Sequence, residues 1–174
     1  MTGVEAVKSS TPAPARKALT DCANILVTGT EDELIEYVKK FRKEWNDLSP
    51  DQIGLPTSVN GIFKYHTKDN RYALGCPIHV RAAINYNYWI SEYKIDMHYS
   101  DIKDGSKAKY VFLIDQNYTR ENVIAFPSKL PKELDLHTKI DYNAQLERSF
   151  LSPLKIMLEP TGWNYEKKVN LMDL

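Results

Sequence analysis

Along the first fifty residues, apolar side chains recur at intervals of three and four. Ala15, Ala18, Leu19, Cys22, Ile25 and Leu26 make one stripe, the spacing of a helix with a single buried face. Ahead of it, Lys8-Ser9-Ser10-Thr11-Pro12 reads as a hydroxyl N-cap followed by a proline at the first helical position, and Gly29 stops the helix. Thr30-Glu31-Asp32-Glu33 has the form of a capping box, with the Thr30 hydroxyl and the Glu33 carboxylate each serving the other's amide. A second helix follows, its core face being Leu34, Ile35, Val38, Phe41, Trp45 and Leu48. Its first turn is acidic and Lys39, Lys40, Arg42 and Lys43 lie further on, the order a helix dipole favours. The short turn between the two makes them an antiparallel pair.

From Ser49 to Gly75 the periodicity fades. Pro50, Gly54, Pro56, Gly61 and Gly75 punctuate a stretch that reads as a long loop with a brief strand or helical turn at Ile62–Tyr65. Pro77 opens a third helix through about Tyr93, with Ile78, Val80, Ala83, Ile84, Asn87 and Tyr88 sharing its faces. After the turn signal Asp104-Gly105-Ser106, the β-branched and aromatic runs Lys109–Ile114 and Asn122–Phe126 predict an antiparallel strand pair around a polar loop, 115–121. Asp141 caps a last helix with the stripe Leu146, Phe150, Leu154, Met157 and Leu158, and Pro153 inside it removes one backbone bond and forces a kink. The expected fold is α+β, helix-dominated, with a small antiparallel β-sheet and a flexible C-terminal tail from residue 164.

Composition narrows the chemistry. Among 174 residues, 23 basic side chains balance 23 acidic ones, so any contact with a polyanion must come from local clustering. The two cysteines, Cys22 and Cys76, are far apart and read as reduced thiols. The start of the chain lacks the pattern of a secretion signal, and no run of about eighteen apolar residues occurs, so the expectation is an intracellular protein that does not enter a membrane. No phosphate-binding glycine loop, nucleophile elbow or zinc-protease helix is present. His66, His79, His98 and His137 are scattered without metal-ligand spacing, and Asp101 and Asp104 sit in a polar turn. The expectation is no catalytic residue, no metal site and no cofactor.

A set of ordered segments resembles one family. Gly3-Val4-Glu5-Ala6-Val7-Lys8-Ser9-Ser10-Thr11-Pro12 is similar to the palm-to-thumb junction of T-even-phage-type family B DNA polymerases. Asn60-Gly61-Ile62-Phe63-Lys64-Tyr65, Cys76-Pro77-Ile78-His79-Val80-Arg81 and Tyr86-Asn87 resemble thumb landmarks in the same order. So do Val123-Ile124-Ala125-Phe126-Pro127-Ser128, Ile140-Asp141-Tyr142, Leu146-Glu147-Arg148-Ser149-Phe150 and Tyr165-Glu166-Lys167-Lys168. The resemblance covers essentially the whole chain and implies a junction at 1–11, a thumb domain at 12–163 and a tail at 164–174.

It also implies a role: closing over primer-template duplex behind a polymerase active site and holding backbone and minor groove without selecting a sequence. The DNA-binding candidates are Lys8, Ser9, Ser10, Thr11, Asn60, Lys64, Tyr65, His79, Arg81, Tyr86, Asn87 and Arg148. Lysine, arginine, hydroxyls and helix N-termini are the groups that contact phosphate. For Thr11 the capping role is favoured. The basic run at Lys39–Lys43 is interleaved with Glu36 and Glu44 and reads as a solvated helix face.

Family catalysis uses palm aspartates with Mg2+, and those motifs are absent from this chain, which implies that it does not add nucleotides alone. The implied partners are duplex DNA, the exonuclease, palm and fingers of a polymerase, and a sliding clamp docked on Leu171, Met172 and Leu174. The implied location is the cytoplasm of an infected bacterial host, with the chain either a fragment or a subunit of a split polymerase. The competing expectation is a protein-protein adaptor, suggested by charge neutrality, the aromatic segment Tyr86–Tyr99 and the apolar tail.

Overall fold

The computed structural model describes residues 8–68, 71–114 and 122–167. The chain divides into two compact units. One combines the start of the chain to Leu48 with the segment from Leu146 onward, and the other is Ser49–Gln145.

The first unit is built on the helical hairpin that the spacing predicts. Helix α1 runs Ala13–Thr28 and α2 runs Glu31–Asn46, with the Thr30–Glu33 capping box formed in both directions. Ala15, Ala18, Leu19 and Cys22 of α1 are buried, as are Leu34, Ile35, Val38, Phe41 and Trp45 of α2. Burial pushes the Cys22 thiol up to about 12, which keeps it protonated and unreactive.

The start of α1 differs from expectation. Pro12, rather than a hydroxyl residue, is the N-cap, and it makes no side-chain cap bond. The Pro12 carbonyl accepts the first helical bond from the Arg16 amide at 3.0 Å, while the Thr11 amide donates to the Lys8 carbonyl at 3.2 Å. Thr11 therefore closes a turn one step before the helix and is buried. Gly29 ends the helix in an extended conformation, φ −111°, rather than a left-handed one.

The expected last helix is built in three pieces: α6 (Tyr142–Leu146), a π turn (Glu147–Leu151) and α7 (Ser152–Leu158). The Asp141 carboxylate accepts the Ala144 amide at 2.9 Å, as a cap should. Pro153 has no N–H to give to the preceding turn, and the widened π turn directly before it absorbs that loss. In the first unit the Phe150 ring lies edge-on to Phe41 at 4.7 Å, and Leu154 and Leu158 are buried. Within the expected tail, the first residues are held to the first unit by side-chain contacts. The Asn164 amide donates to Glu31 at 2.6 Å, Arg42 pairs with Glu166, and Arg42 and Lys155 lie 5.8 and 5.9 Å from the Tyr165 ring centre.

In the second unit the expected strand pair forms as β4 (Lys107–Phe112) and β5 (Val123–Phe126), antiparallel with Lys109 opposite Phe126 and Phe112 opposite Val123. The stretch read as loop supplies more structure than expected. It contains a helical turn α3 (Pro50–Ile53), a third strand β1 (Leu55–Ser58) and the turn α4 (Ile62–Tyr65). It also holds a two-stranded hairpin, β2 (His66–Thr67) with β3 (Arg71–Tyr72). Strand β1 pairs antiparallel with β4, giving the order β1-β4-β5. Pro56 hides it from a sequence reading, because proline argues against a strand except at an edge, and an edge is where β1 lies.

Helix α5 (Ile78–Glu92), flanked by Pro77 and Tyr93 as expected, packs on β5 and β4 through Val80, Ala83, Ile84 and Ile90. Asp104 accepts the Ile62 amide at 2.8 Å, so this carboxylate caps α4. Among the described residues, no helix is long and apolar enough to cross a membrane, and no group of His, Cys, Asp and Glu side chains could hold a metal ion. The expected clamp anchors Leu171, Met172 and Leu174, the junction residues 1–7 and the loop 115–121 lie outside the described residues.

Candidate nucleic-acid interface

In a neutral chain, the region between Asp51 and Glu92 stands out. It holds four basic side chains, Lys64, Lys68, Arg71 and Arg81, against one acidic residue, Asp69, a net of +3 (4 − 1). Helical turn α4, hairpin β2-β3 and the first turn of α5 carry the basic residues. Contacts of α4 and β3 with α5 hold these pieces together.

Gly61 enters α4 at φ +94°, a left-handed conformation that glycine adopts without steric cost. It lets the chain turn sharply after Asn60, which is exposed. Lys64 is exposed at the end of this turn, with its Nζ 5.1 Å from the centre of the half-buried Tyr65 ring. The Tyr65 carbonyl accepts the Ala73 amide at 2.7 Å, which extends the hairpin by one bond.

At the start of α5, the Pro77 carbonyl accepts the amides of Val80 and Arg81 at 3.0 and 2.9 Å. The Ile78 and His79 amides precede the first helical bond and carry the positive end of the helix. His79 is half-buried beside them. Arg81 is also half-buried: its Nη2 donates to Asn122 Oδ1 at 3.0 Å, and its guanidinium lies 5.8 Å from the Tyr72 ring centre. Its direction is thus fixed in advance, as a phosphate contact prefers.

Tyr86 and Asn87 occupy a different environment. Tyr86 is fully buried, its hydroxyl donates to the Ser100 carbonyl at 3.5 Å, and burial pushes it up to about 12. Asn87 exchanges two bonds of 2.8 Å with the backbone of Ile102. Both tie α5 to the segment before β4, Tyr86 from within the core and Asn87 from a half-buried position.

Arg71 was not singled out by sequence. It follows the hairpin turn at φ +61°, and its guanidinium sits 3.6 Å from the Tyr88 ring centre and 5.5 Å from that of Trp89. Its Nη1 donates to Asn85 Oδ1 at 3.4 Å, and Asn85, itself buried, donates to the Val123 carbonyl at 2.9 Å. The only sequence signal was the local excess of basic residues; the stacking is a product of the fold.

In the first unit, Lys8, Ser9 and Ser10 are exposed on the turn that precedes α1, whereas Thr11 is buried. Arg148 is exposed on the π turn, and among the described residues no hydrogen bond or ion pair engages it. Three of the four basic residues of the α2 run are paired with carboxylates: Lys39 with Glu36 at 2.7 Å, Lys40 with Glu44 at 3.7 Å, and Arg42 with Glu166. Lys43 is exposed.

Across both units, then, the groups on offer are guanidinium, ammonium, hydroxyl and aromatic. These are the kinds of group that contact phosphate and sugar in nucleic-acid complexes. No family model matches the chain. The DNA-directed DNA polymerase of Enterobacteria phage T4 is 32% identical to it over an alignment of 173 residues that takes in 97% of this chain and 19% of the phage protein. The enzyme of the same description from Escherichia phage RB69 is 33% identical, over 99% of this chain and 19% of its own length. The chain is similar to these T4-type phage DNA polymerases and spans about a fifth of their length.

Proposed function

We propose that the chain is the thumb portion of a T4-type phage replicative polymerase and grips primer-template duplex without regard to sequence. The observation that carries this reading is the similarity, over nearly the whole chain, to proteins described as DNA-directed DNA polymerases. In this reading Lys64, His79 and Arg81 of the second unit and Lys8, Ser9, Ser10 and Arg148 of the first meet backbone phosphates, with Asn60 and Tyr65 beside them at the groove. Nucleotide transfer with Mg2+ belongs to the palm of the remaining polymerase, whose exonuclease, palm and fingers are the protein partners. The tail residues Leu171, Met172 and Leu174 are proposed to meet a sliding clamp.

Fluorescence anisotropy with a labelled hairpin duplex at low salt tests this. The wild-type chain should bind, and Lys64→Ala with Arg81→Ala together should weaken binding on every sequence by roughly tenfold or more. Unchanged affinity in the double variant removes these residues from the interface.

A second reading, a protein-protein adaptor, is favoured by the exposure of Phe63 (89%), Leu74 (97%) and Met97 (92%), since such side chains serve partner surfaces well. No duplex binding even at low salt, together with co-purification with the remaining polymerase, would select it.

A further inference from the structure

We propose that Arg71 is a positioning residue that clamps the β2-β3 hairpin onto α5 and so holds Lys64 and Arg81 in the places from which they meet phosphate. The proposal rests on the duplex-gripping reading.

Three observations in the second unit carry it. The first is backbone conformation: Arg71 is one of three non-glycine residues with positive φ among those described, a position that costs free energy unless the surroundings repay it. The second is the repayment. The guanidinium lies 3.6 Å from the Tyr88 ring centre, at stacking distance, and only a planar cation achieves this geometry together with a hydrogen bond in its own plane. The third is what lies on either side. Through Asn85 the guanidinium is linked to the Val123 carbonyl of β5. Through the strand it begins, it is linked to Tyr72, whose ring lies beside Arg81, and to Ala73, whose amide closes on Tyr65 next to Lys64. One side chain thus joins the short hairpin to the helix and sheet behind it. A hairpin of two paired residues per strand is not stable by itself.

The test uses the whole chain with Arg71→Gly and Arg71→Lys. Glycine accepts the positive φ, so Arg71→Gly deletes the stack without straining the turn, while Arg71→Lys keeps the charge and loses the planar face. Hydrogen exchange of the Ala73 amide reads hairpin docking. The Leu113 amide, bonded to the Asn122 carbonyl at 2.9 Å, is the control for the sheet.

In both variants Ala73 should exchange about tenfold faster while Leu113 keeps its protection. Duplex affinity should fall about tenfold in both, and in Arg71→Gly the salt dependence should drop by more than the single phosphate contact that loss of one charge would explain. If Ala73 keeps wild-type protection in Arg71→Gly, the clamp is overturned whatever the DNA result. If Arg71→Lys restores both protection and affinity, charge alone suffices and the positioning role is overturned. Failure of the wild-type chain to bind duplex at low salt overturns the gripping reading instead, and exchange at Ala73 still decides whether Arg71 clamps the hairpin.

Discussion

A single carboxylate shows how much of the first unit's side-chain chemistry is local. Asp21 on α1 accepts Lys17 Nζ and the Tyr37 hydroxyl, each at 2.8 Å. Lys17 first and Tyr37 second hold the carboxyl below its ordinary 3.8, and burial first, then Asp21, raises the Tyr37 hydroxyl. Because the folded carboxyl is the more acidic one, its contribution is complete above the unfolded pKa of about 4 and disappears as pH falls through the lower folded value. Asp21→Asn should therefore lower stability at pH 7 by about 1 kcal/mol and by clearly less at pH 2.5. Urea midpoints at the two pH values measure this, and an equal gap at both would mean the bonds contribute nothing through ionisation. Glycines carry a different kind of local information. Gly54 reads in sequence as loop punctuation, yet a Cβ there would lie 3.0 Å from both Lys109 Cβ and the Pro50 carbonyl and 3.2 Å from the Phe126 ring. Close approach of backbone to the sheet, not a turn, requires it.

At the scale of elements, the best-read parts are those whose stabilising partners lie close in sequence. The α1-α2 hairpin is legible because its stripes, its two-residue connection and its Thr30–Glu33 box all lie within a few residues of what they stabilise. Strand β1 and hairpin β2-β3 are not, because their reasons are distant: β1 exists through pairing with β4, and β3 through Arg71 lying on Tyr88 and Trp89. The candidate interface divides in the same way. Lys64, His79 and Arg81 were reachable from sequence order, whereas the clamp at Arg71 and the structural duties of Tyr86 and Asn87 depend on contacts no periodicity encodes. Gln145 is the extreme case, a fully buried amide in a chain position with no core signal. Its Nε2 donates to the carbonyls of Ile53 at 2.7 Å and Tyr110 at 3.4 Å, and its Oε1 accepts the Phe112 amide at 3.1 Å. It joins α6, α3 and β4 in one stroke. Gln145→Leu should cost about 2–4 kcal/mol by removing the amide's bonds to the Ile53 carbonyl and the Phe112 amide inside the core. Loss of exchange protection at the Phe112 amide, alongside a lower urea midpoint, is the signature, and a wild-type midpoint would show that water replaces the amide.

Over the whole molecule, the exact balance of basic and acidic residues limits what any interface with DNA looks like. Long-range attraction is small, so affinity must come from the few cations that meet phosphate directly. If Lys64, Lys68 and Arg81 are the cationic contributors from the second unit, the slope of log affinity against log salt should be no steeper than about −3 for that surface, at roughly 0.9 per phosphate on duplex. A titration between about 50 and about 200 mM salt measures it; a markedly steeper slope would require the Lys8 turn and Arg148 to contribute as well. The three-stranded sheet has a last consequence, for behaviour in concentrated solution. Its outer strand β1 is four residues long, and Pro56, its second residue, has no N–H to offer. Beyond Ser58 the chain is already committed, the Val59 amide donating to the Ser106 carbonyl at 2.9 Å. A strand from a neighbouring molecule that approached this edge would find too short and too incomplete a template to continue the sheet. The proline that conceals β1 from a reader of the sequence conceals it equally from other chains.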